Sequence, residues 1–318
     1  MSDTTAPLRL GISACLLGKP VRFDGGHKRD PFLSDTLSQW VEWVSVCPEV
    51  GAGLGTPRPT LRLVGIGDAP RLVAPKTGLD HTAAMEAYSR KELKRLARLD
   101  LCGFVLKSKS PSCGMERVKV YNASMPTKGG VGLFAQALMA ALPLLPVEEE
   151  GRLHDPVLRE NFLERVFTYK RWRDFCRGRA SRARLVHFHA IHKFLVLAHS
   201  PKHYTELGQL VGNMVGHPIS ELYDAYGALL MRAMAVRSTR RKHTNVLQHL
   251  AGFFKKQLDA AGRAELVSVI EDFHAGLVPL VVPVTLLAHH VRAFDVKYLA
   301  EQLYLSPAPK ELMLRNHG

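Results

Sequence analysis

The chain has 318 residues with 46% hydrophobic and 23% charged content, which is room for two ordinary domains and excludes a chain disordered over its length. No signal peptide is read in Met1-Ser-Asp-Thr-Thr-Ala-Pro7, and the longest apolar run, near 276–288, holds two prolines and is too short to span a bilayer. A cytoplasmic protein with no membrane partner is expected, so its five cysteines are not a disulfide framework but buried residues, reactive thiols or metal ligands.

In chain order, Leu8 to Ser13 reads as a strand, and Ser34 as the cap of a helix running through Leu37, Trp40 and Val41. Val44-Ser-Val46 is a second strand, and Ala83 to Arg98 an amphipathic helix with Leu93 and Leu96 on one face. Gly103 to Leu106 is a buried-type strand, Glu116 to Tyr121 another, and Gly132 to Leu142 a closing helix. Strands alternating with helices predict an α/β domain with a Rossmann-like parallel sheet over residues 1–147. The Pro- and Glu-rich tract 142–151 marks the junction. Beyond it, helices expected near 157–177, 183–199, 203–215, 219–237, 244–260, 262–275 and 295–304 predict an all-α domain over 148–318.

Charge divides the chain in the same way. Of the net +14, residues 1–150 hold 19 Lys/Arg against 15 Asp/Glu, and the remainder 24 against 14. The excess in the second half points to a polyanionic partner.

Three cysteines share one context. Cys15, Cys47 and Cys113 each follow a predicted strand, in loops crowded with Gly and Pro. In an open α/β sheet these loops form the ligand crevice, so thiols distant in sequence can converge. Zinc, an iron–sulfur cluster and no metal at all remain open on this pattern alone. Cys102 opens a strand and Cys176 lies in a basic helix; both read as structural.

The segments Ser13-Ala-Cys-Leu-Leu-Gly18, Cys47-Pro-Glu followed by Gly53-Leu-Gly-Thr-Pro-Arg-Pro59, and Lys107-Ser-Lys-Ser-Pro-Ser-Cys-Gly114 together resemble the thiouracil desulfurase (TudS) family. Pro75 to Thr82 and Gly130 to Phe134 add to the likeness, which covers roughly residues 8–145. The remainder resembles the helical domain fused to such desulfurases in YbgA-like proteins. The resemblance implies a [4Fe-4S] cluster held by Cys15, Cys47 and Cys113 with one iron open, and removal of sulfur from a thiolated pyrimidine. Fusions of this kind imply 4-thiouridine in tRNA as the substrate.

On that basis Glu49, two residues beyond Cys47, is the expected general base. Ser110 and Ser112 are placed to donate to the ring or relay a proton, and Lys107 to stabilise developing charge. Lys109 and Asp80 are expected at the substrate; Asp80 equally suits a helix cap. Between Arg165 and Arg184 eight basic residues interleave with Phe167, Tyr169, Trp172 and Phe175. Arg171, Arg173, Arg240, Arg241, Lys242, Lys255 and Lys256 are therefore expected to contact RNA, with aromatics stacking on unpaired bases. Three readings stand side by side. The first is a tRNA 4-thiouridine desulfidase. The second is a desulfurase of free thiouracil or thiouridine whose helical domain dimerises. The third is a non-catalytic zinc-stabilised RNA-binding protein.

Overall fold

Strands of alternating and continuous apolar residues build the first part of the chain, and their burial sorts them into two sheets. The structure, a computed structural model, describes residues 8–65, 69–122 and 125–317; the opening heptapeptide read for a leader lies outside them. The chain divides into two units, Met1–His154 and Asp155–Gly318. In the first, the elements run β1 (Leu8–Ser13), β2 (Val41–Val46), the one-turn α1 (Pro48–Gly51), β3 (Arg62–Val64), β4 (Arg71–Val73), α2 (Thr82–Leu96), β5 (Gly103–Leu106), β6 (Val118–Tyr121), β7 (Thr127–Gly130), α3 (Leu133–Ala141) and β8 (Val147–Glu149).

The central sheet has the order β2-β1-β5-β8 and is parallel throughout. β5 is buried at every residue, as a parallel strand covered on both faces must be. Gly11 in β1 is required by packing: a Cβ there would lie 2.1 Å from the ring of Phe104. A second, mixed sheet has the order β4-β3-β6-β7.

Several expectations are corrected. The helix expected from Ser34 through Val41 is two short turns, Phe32–Thr36 and Leu37–Gln39, and Val41 already begins β2. The β-branched and aromatic run Val41-Glu-Trp-Val-Ser-Val46 favours the pleated surface. The strand expected at Glu116 starts at Val118 and lies in the second sheet. The tract expected as the junction contributes β8, whose acids Glu148 and Glu149 are buried. Arg152 donates to Glu148 at 2.6 Å and the Met115 amide to Glu149 at 2.7 Å, so a strand carrying charges is stable inside.

The second unit is helical: α4 (Pro156–Arg177), α5 (Arg182–His199), α6 (Pro201–Gly212), α7 (Ile219–Ala235), α8 (Arg240–Ala251), α9 (Ala260–Ala275), α10 (Val281–Ala293) and the single turn α11 (Lys297–Ala300). No strand occurs among its described residues. Asp155 accepts from the Val157 and Leu158 amides and caps α4, with Pro156 as its first residue. α8 starts at Arg240 rather than 244 because Thr239 caps it, accepting from Lys242 N at 3.3 Å. The helix α10 was hidden in the proline-containing apolar run; Pro283 lies in its first turn, where no amide bond is lost. The helix expected over 295–304 is only α11.

Inside this unit the aromatic rings of Trp172, Phe175, Phe188, Tyr223 and Tyr226 pack together. Beside them runs a buried ionic network. Arg315 donates to Glu164 at 2.8 Å, and His199 faces the other oxygen of Glu164 at 2.8 Å. Burial alone would raise Glu164, but Arg315 and His199 hold its carboxyl well below the usual range. No helix among the described residues is long and apolar enough to cross a membrane.

Candidate active site

β1, β2 and β5 lie side by side and parallel, so the chain leaves all three at the same edge of the sheet. After β1 comes a tight turn, Ala14–Leu17, which carries Cys15 and closes on Gly18 at φ 86°. After β2, Cys47 stands at the cap position of α1, with Pro48 as the first helical residue. After β5 the loop 107–114 delivers Cys113. Its turn is held by Ser110, whose Oγ accepts from the amides of Ser112 (3.2 Å) and Cys113 (3.1 Å). The start of α3 braces this loop from behind, since Phe134 N donates to Ser112 O at 3.0 Å and Leu133 N to Pro111 O at 3.2 Å.

The three thiols line one cleft of about 370 Å³ together with Glu49, Lys107 and Ser110. Burial pushes the Cys15 thiol up to about 11, with the nearby Cys47 adding to the rise while Lys107 and Arg22 oppose it. Burial raises Cys47 as well, and Cys113 further, where Ser13 opposes and Glu49, Cys47 and Cys15 add. Burial thus favours the neutral thiol at all three positions, so any metal must displace those protons. Among the described residues, no three His, Cys, Asp or Glu side chains form a group suited to a single metal ion.

Glu49 has both oxygens engaged. Arg58 donates to Oε2 through Nε at 2.8 Å and also through Nη2, while Ser112 Oγ donates to Oε1 at 2.8 Å. Arg58 is itself 4% exposed, so this is a sheltered ion pair at the cleft wall. Ser112 is fully buried: it positions Glu49 and does not face the cleft. Lys107 pairs with Glu150, which also accepts from Ser108 N at 2.7 Å. Lys109 lies at the cleft in a left-handed turn, φ 59°. Asp80 is not part of the cleft lining; one residue ahead of His81, which stands at the cap position of α2, it accepts from Thr82 N at 2.9 Å and faces Arg71 at 3.6 Å.

The residues expected to meet RNA divide. Arg241, Lys255 and Lys256 are exposed; so is Arg240, which lies 5.9 Å from the Phe273 ring centroid. Arg173 is half-buried, 5.8 Å from the Tyr169 ring centroid. Arg171 is turned inward and bonds Pro307 O at 2.9 Å, its guanidinium lowered by burial to about 10. Lys242 donates to His199 O (2.7 Å) and Arg237 O (2.8 Å), closing carbonyls at helix ends. Both direct donors at backbone carbonyls, and Trp172 and Phe175 pack with the core rather than forming a stacking surface. Cys102 is buried and Cys176 is exposed on α4, both outside the cleft.

Three further residues belong to the site: Glu150, in the tract expected as the junction, pairs with Lys107 far back in the chain, and Arg22 and Phe23 line the cleft from a turn whose sequence signals only the turn itself.

The sequence model of the 2-thiouracil desulfurase family matches residues 10–150, and that of DUF1722, a family of unknown function, matches residues 193–309. The uncharacterized protein YbgA of Escherichia coli (strain K12) is 30% identical over 141 residues, covering 43% of this chain and 82% of that protein. The uncharacterized protein YbbK of Bacillus subtilis (strain 168) is 25% identical over 149 residues, covering 45% and 97%. Among solved structures, the [4Fe-4S]-dependent thiouracil desulfidase TudS (DUF523Vcz) matches at 32% identity over 46% of this chain and 94% of that one, with a TM-score of 0.37. The family of the first unit defines a desulfidase, an enzyme that cleaves a carbon–sulfur bond. The chain belongs to the 2-thiouracil desulfurase family through its first unit and carries a DUF1722 domain in its second. Membership of an enzyme family displaces the non-catalytic reading.

Proposed function

We propose that Cys15, Cys47 and Cys113 hold a [4Fe-4S] cluster and that the first unit removes sulfur from a thiolated pyrimidine, with 4-thiouridine in tRNA as the substrate and uridine as the product. The observation that carries this is the convergence of three thiols and Glu49 on one cleft at the end of a parallel sheet. The donor set fits such a group. Three thiols, the ligand type that holds such clusters, line the cleft beside the Glu49 carboxylate, whose two oxygens are already taken by Arg58 and Ser112.

When bound, the cluster would supply an iron without a protein ligand, a Lewis acid suited to a soft thiocarbonyl sulfur. The remaining work falls to the chain. Glu49, fixed by Arg58 and Ser112, takes the proton from a water that attacks the ring carbon. The new carbon–oxygen bond becomes the carbonyl as the carbon–sulfur bond breaks; water supplies the oxygen and both protons, and sulfur departs as hydrogen sulfide or its anion. No electrons are exchanged. Lys107, paired with Glu150, holds the loop that carries Cys113.

The tRNA substrate is favoured over the free base by a second depression that shares Lys109, Ser108 and Pro111 with the cleft. Arg62, Arg117, Lys119 and Lys128 line it and are exposed, and Arg62 lies over the Tyr121 ring at 4.5 Å. Cations leading away from a reaction centre suit a phosphate backbone on either side of the reacting base. A base within folded tRNA must also leave its stack, and backbone contacts can supply the few kcal/mol this costs.

The test is anaerobic reconstitution with iron and sulfide analysis and the visible spectrum, comparing the full chain with Cys15→Ala, Cys47→Ala and Cys113→Ala. About four irons per chain, lost in each variant, are expected. Stoichiometric zinc, or iron retained in the variants, would sink the proposal. Thiolated tRNA and free thiouracil are then assayed in parallel; turnover of the free base alone returns the free-base reading.

A further inference from the structure

We propose that Phe23 is the platform on which the pyrimidine ring stacks as it enters the thiol-lined cleft, and that it selects aromatic thiocarbonyl substrates. This inference rests on the desulfidase reading above and adds the element that holds the base.

Phe23 occupies the tip of a tight turn. Gly25 N donates to Arg22 O at 3.0 Å and Arg22 N to Gly26 O at 3.2 Å, while Gly25 takes φ 75° and Asp24 accepts from Gly26 N at 3.0 Å. Asp and Gly meet the demands of that turn; a large aromatic does not, and it gains little there by burial. Phe23 is 37% exposed, yet it lines the same cleft as Cys15, Cys47 and Glu49. Its ring lies 5.4 Å from the Arg22 guanidinium, and Arg22 lines the same cleft as Cys15.

The turn is tied to the catalytic wall by one residue. Arg58 N donates to Phe23 O at 2.9 Å, Arg58 Nη2 donates to Val21 O at 3.0 Å, and the same guanidinium holds Glu49. The ring and the general base are thereby fixed to a common support, which is how a site holds a flat substrate at a set distance from a proton acceptor. A thiolated pyrimidine is neutral and planar, with few groups to grip on its faces. An aromatic face is the complementary surface, and it leaves the ring edge, where the sulfur lies, directed inward.

Phe23→Ala should weaken binding of 4-thiouridine 5′-monophosphate to the reconstituted full chain by roughly 10- to 100-fold. Phe23→Leu should weaken it nearly as much, whereas Phe23→Trp should stay within about threefold of the parent. Isothermal titration calorimetry in a Glu49→Gln background, where turnover is suppressed, reads these affinities, and iron content checks that each variant is folded and loaded. In steady state the loss should appear in KM rather than kcat. An alanine variant that binds as tightly as the parent overturns the proposal while leaving the desulfidase reading intact, and so does a leucine variant equal to tryptophan. A parent protein that holds four irons but binds neither the nucleotide, nor free 4-thiouracil, nor thiolated tRNA overturns both.

Discussion

At the scale of single residues, Glu49 is defined by its partners. Arg58 holds one carboxylate oxygen and Ser112 the other, in a wall that is nearly closed to solvent on the Arg58 side. Glu49→Gln keeps the shape of the side chain and removes its ability to take a proton. The rate of a single turnover should fall about 10²- to 10⁴-fold, with binding of the thiopyrimidine little changed. Ser112→Ala leaves Arg58 in place and should cost less. An unaffected rate in Glu49→Gln would take the base role from this residue. That Cys15, Cys47 and Cys113 meet at one cleft was legible because loops after parallel strands converge whatever their spacing, and Glu49 was expected there from its place two residues beyond Cys47. Arg171 and Lys242 misled because counting charges does not reveal which are used up by backbone carbonyls. One bonds Pro307 O and the other His199 O and Arg237 O, and neither contact leaves a trace in local sequence.

At the scale of elements, the loop that delivers Cys113 owes its shape to α3. Gly132 precedes that helix, and its amide donates to Gly114 O at 2.8 Å. A Cβ at Gly132 would lie 2.5 Å from the Ser112 carbonyl carbon and 2.8 Å from Cys113 N, both backbone atoms that cannot swing aside. Gly132→Ala should therefore displace the loop, costing about 1–3 kcal/mol of stability and lowering iron content after reconstitution. A melting temperature and iron content equal to the parent would show that the loop does not need this close approach. Gly53, with nothing near its Cβ position but φ 85°, is a different case: its constraint is the turn itself. Sequence indicated α3 and its glycines but not what they lean on. It also missed β3, β4 and β7, each too short or too glycine-rich for a period of two to emerge. β8 stayed hidden because two of its three residues are acids whose partners, Arg152 and the Met115 amide, lie outside the strand.

At the scale of the whole molecule, the α/β unit followed by a helical one was readable from periodicity and from the change in charge between the halves. What that charge does is a separate question, and salt can decide it. Each phosphate contact that releases counterions adds about −0.9 to the slope of log affinity against log salt on duplex nucleic acid, and about −0.7 on single strands. Thiolated tRNA should accordingly be bound and turned over with a steep salt dependence. Free thiouracil, which is uncharged, should be nearly indifferent. Lys119→Ala with Lys128→Ala, both exposed in the depression beside the cleft, should lower the slope by about 1–2 and weaken every thiolated tRNA alike. Lys255→Ala with Lys256→Ala should act in the same direction if the helical unit also meets the backbone. Arg171→Ala and Lys242→Ala are the contrast: they should lower the melting temperature and change the slope little, because their side chains are directed to backbone carbonyls of the fold. Equal salt slopes for tRNA and free base would remove the polyanionic partner and leave a desulfurase of small thiopyrimidines. A slope that responds to the lysines of one unit alone would assign the RNA to that unit.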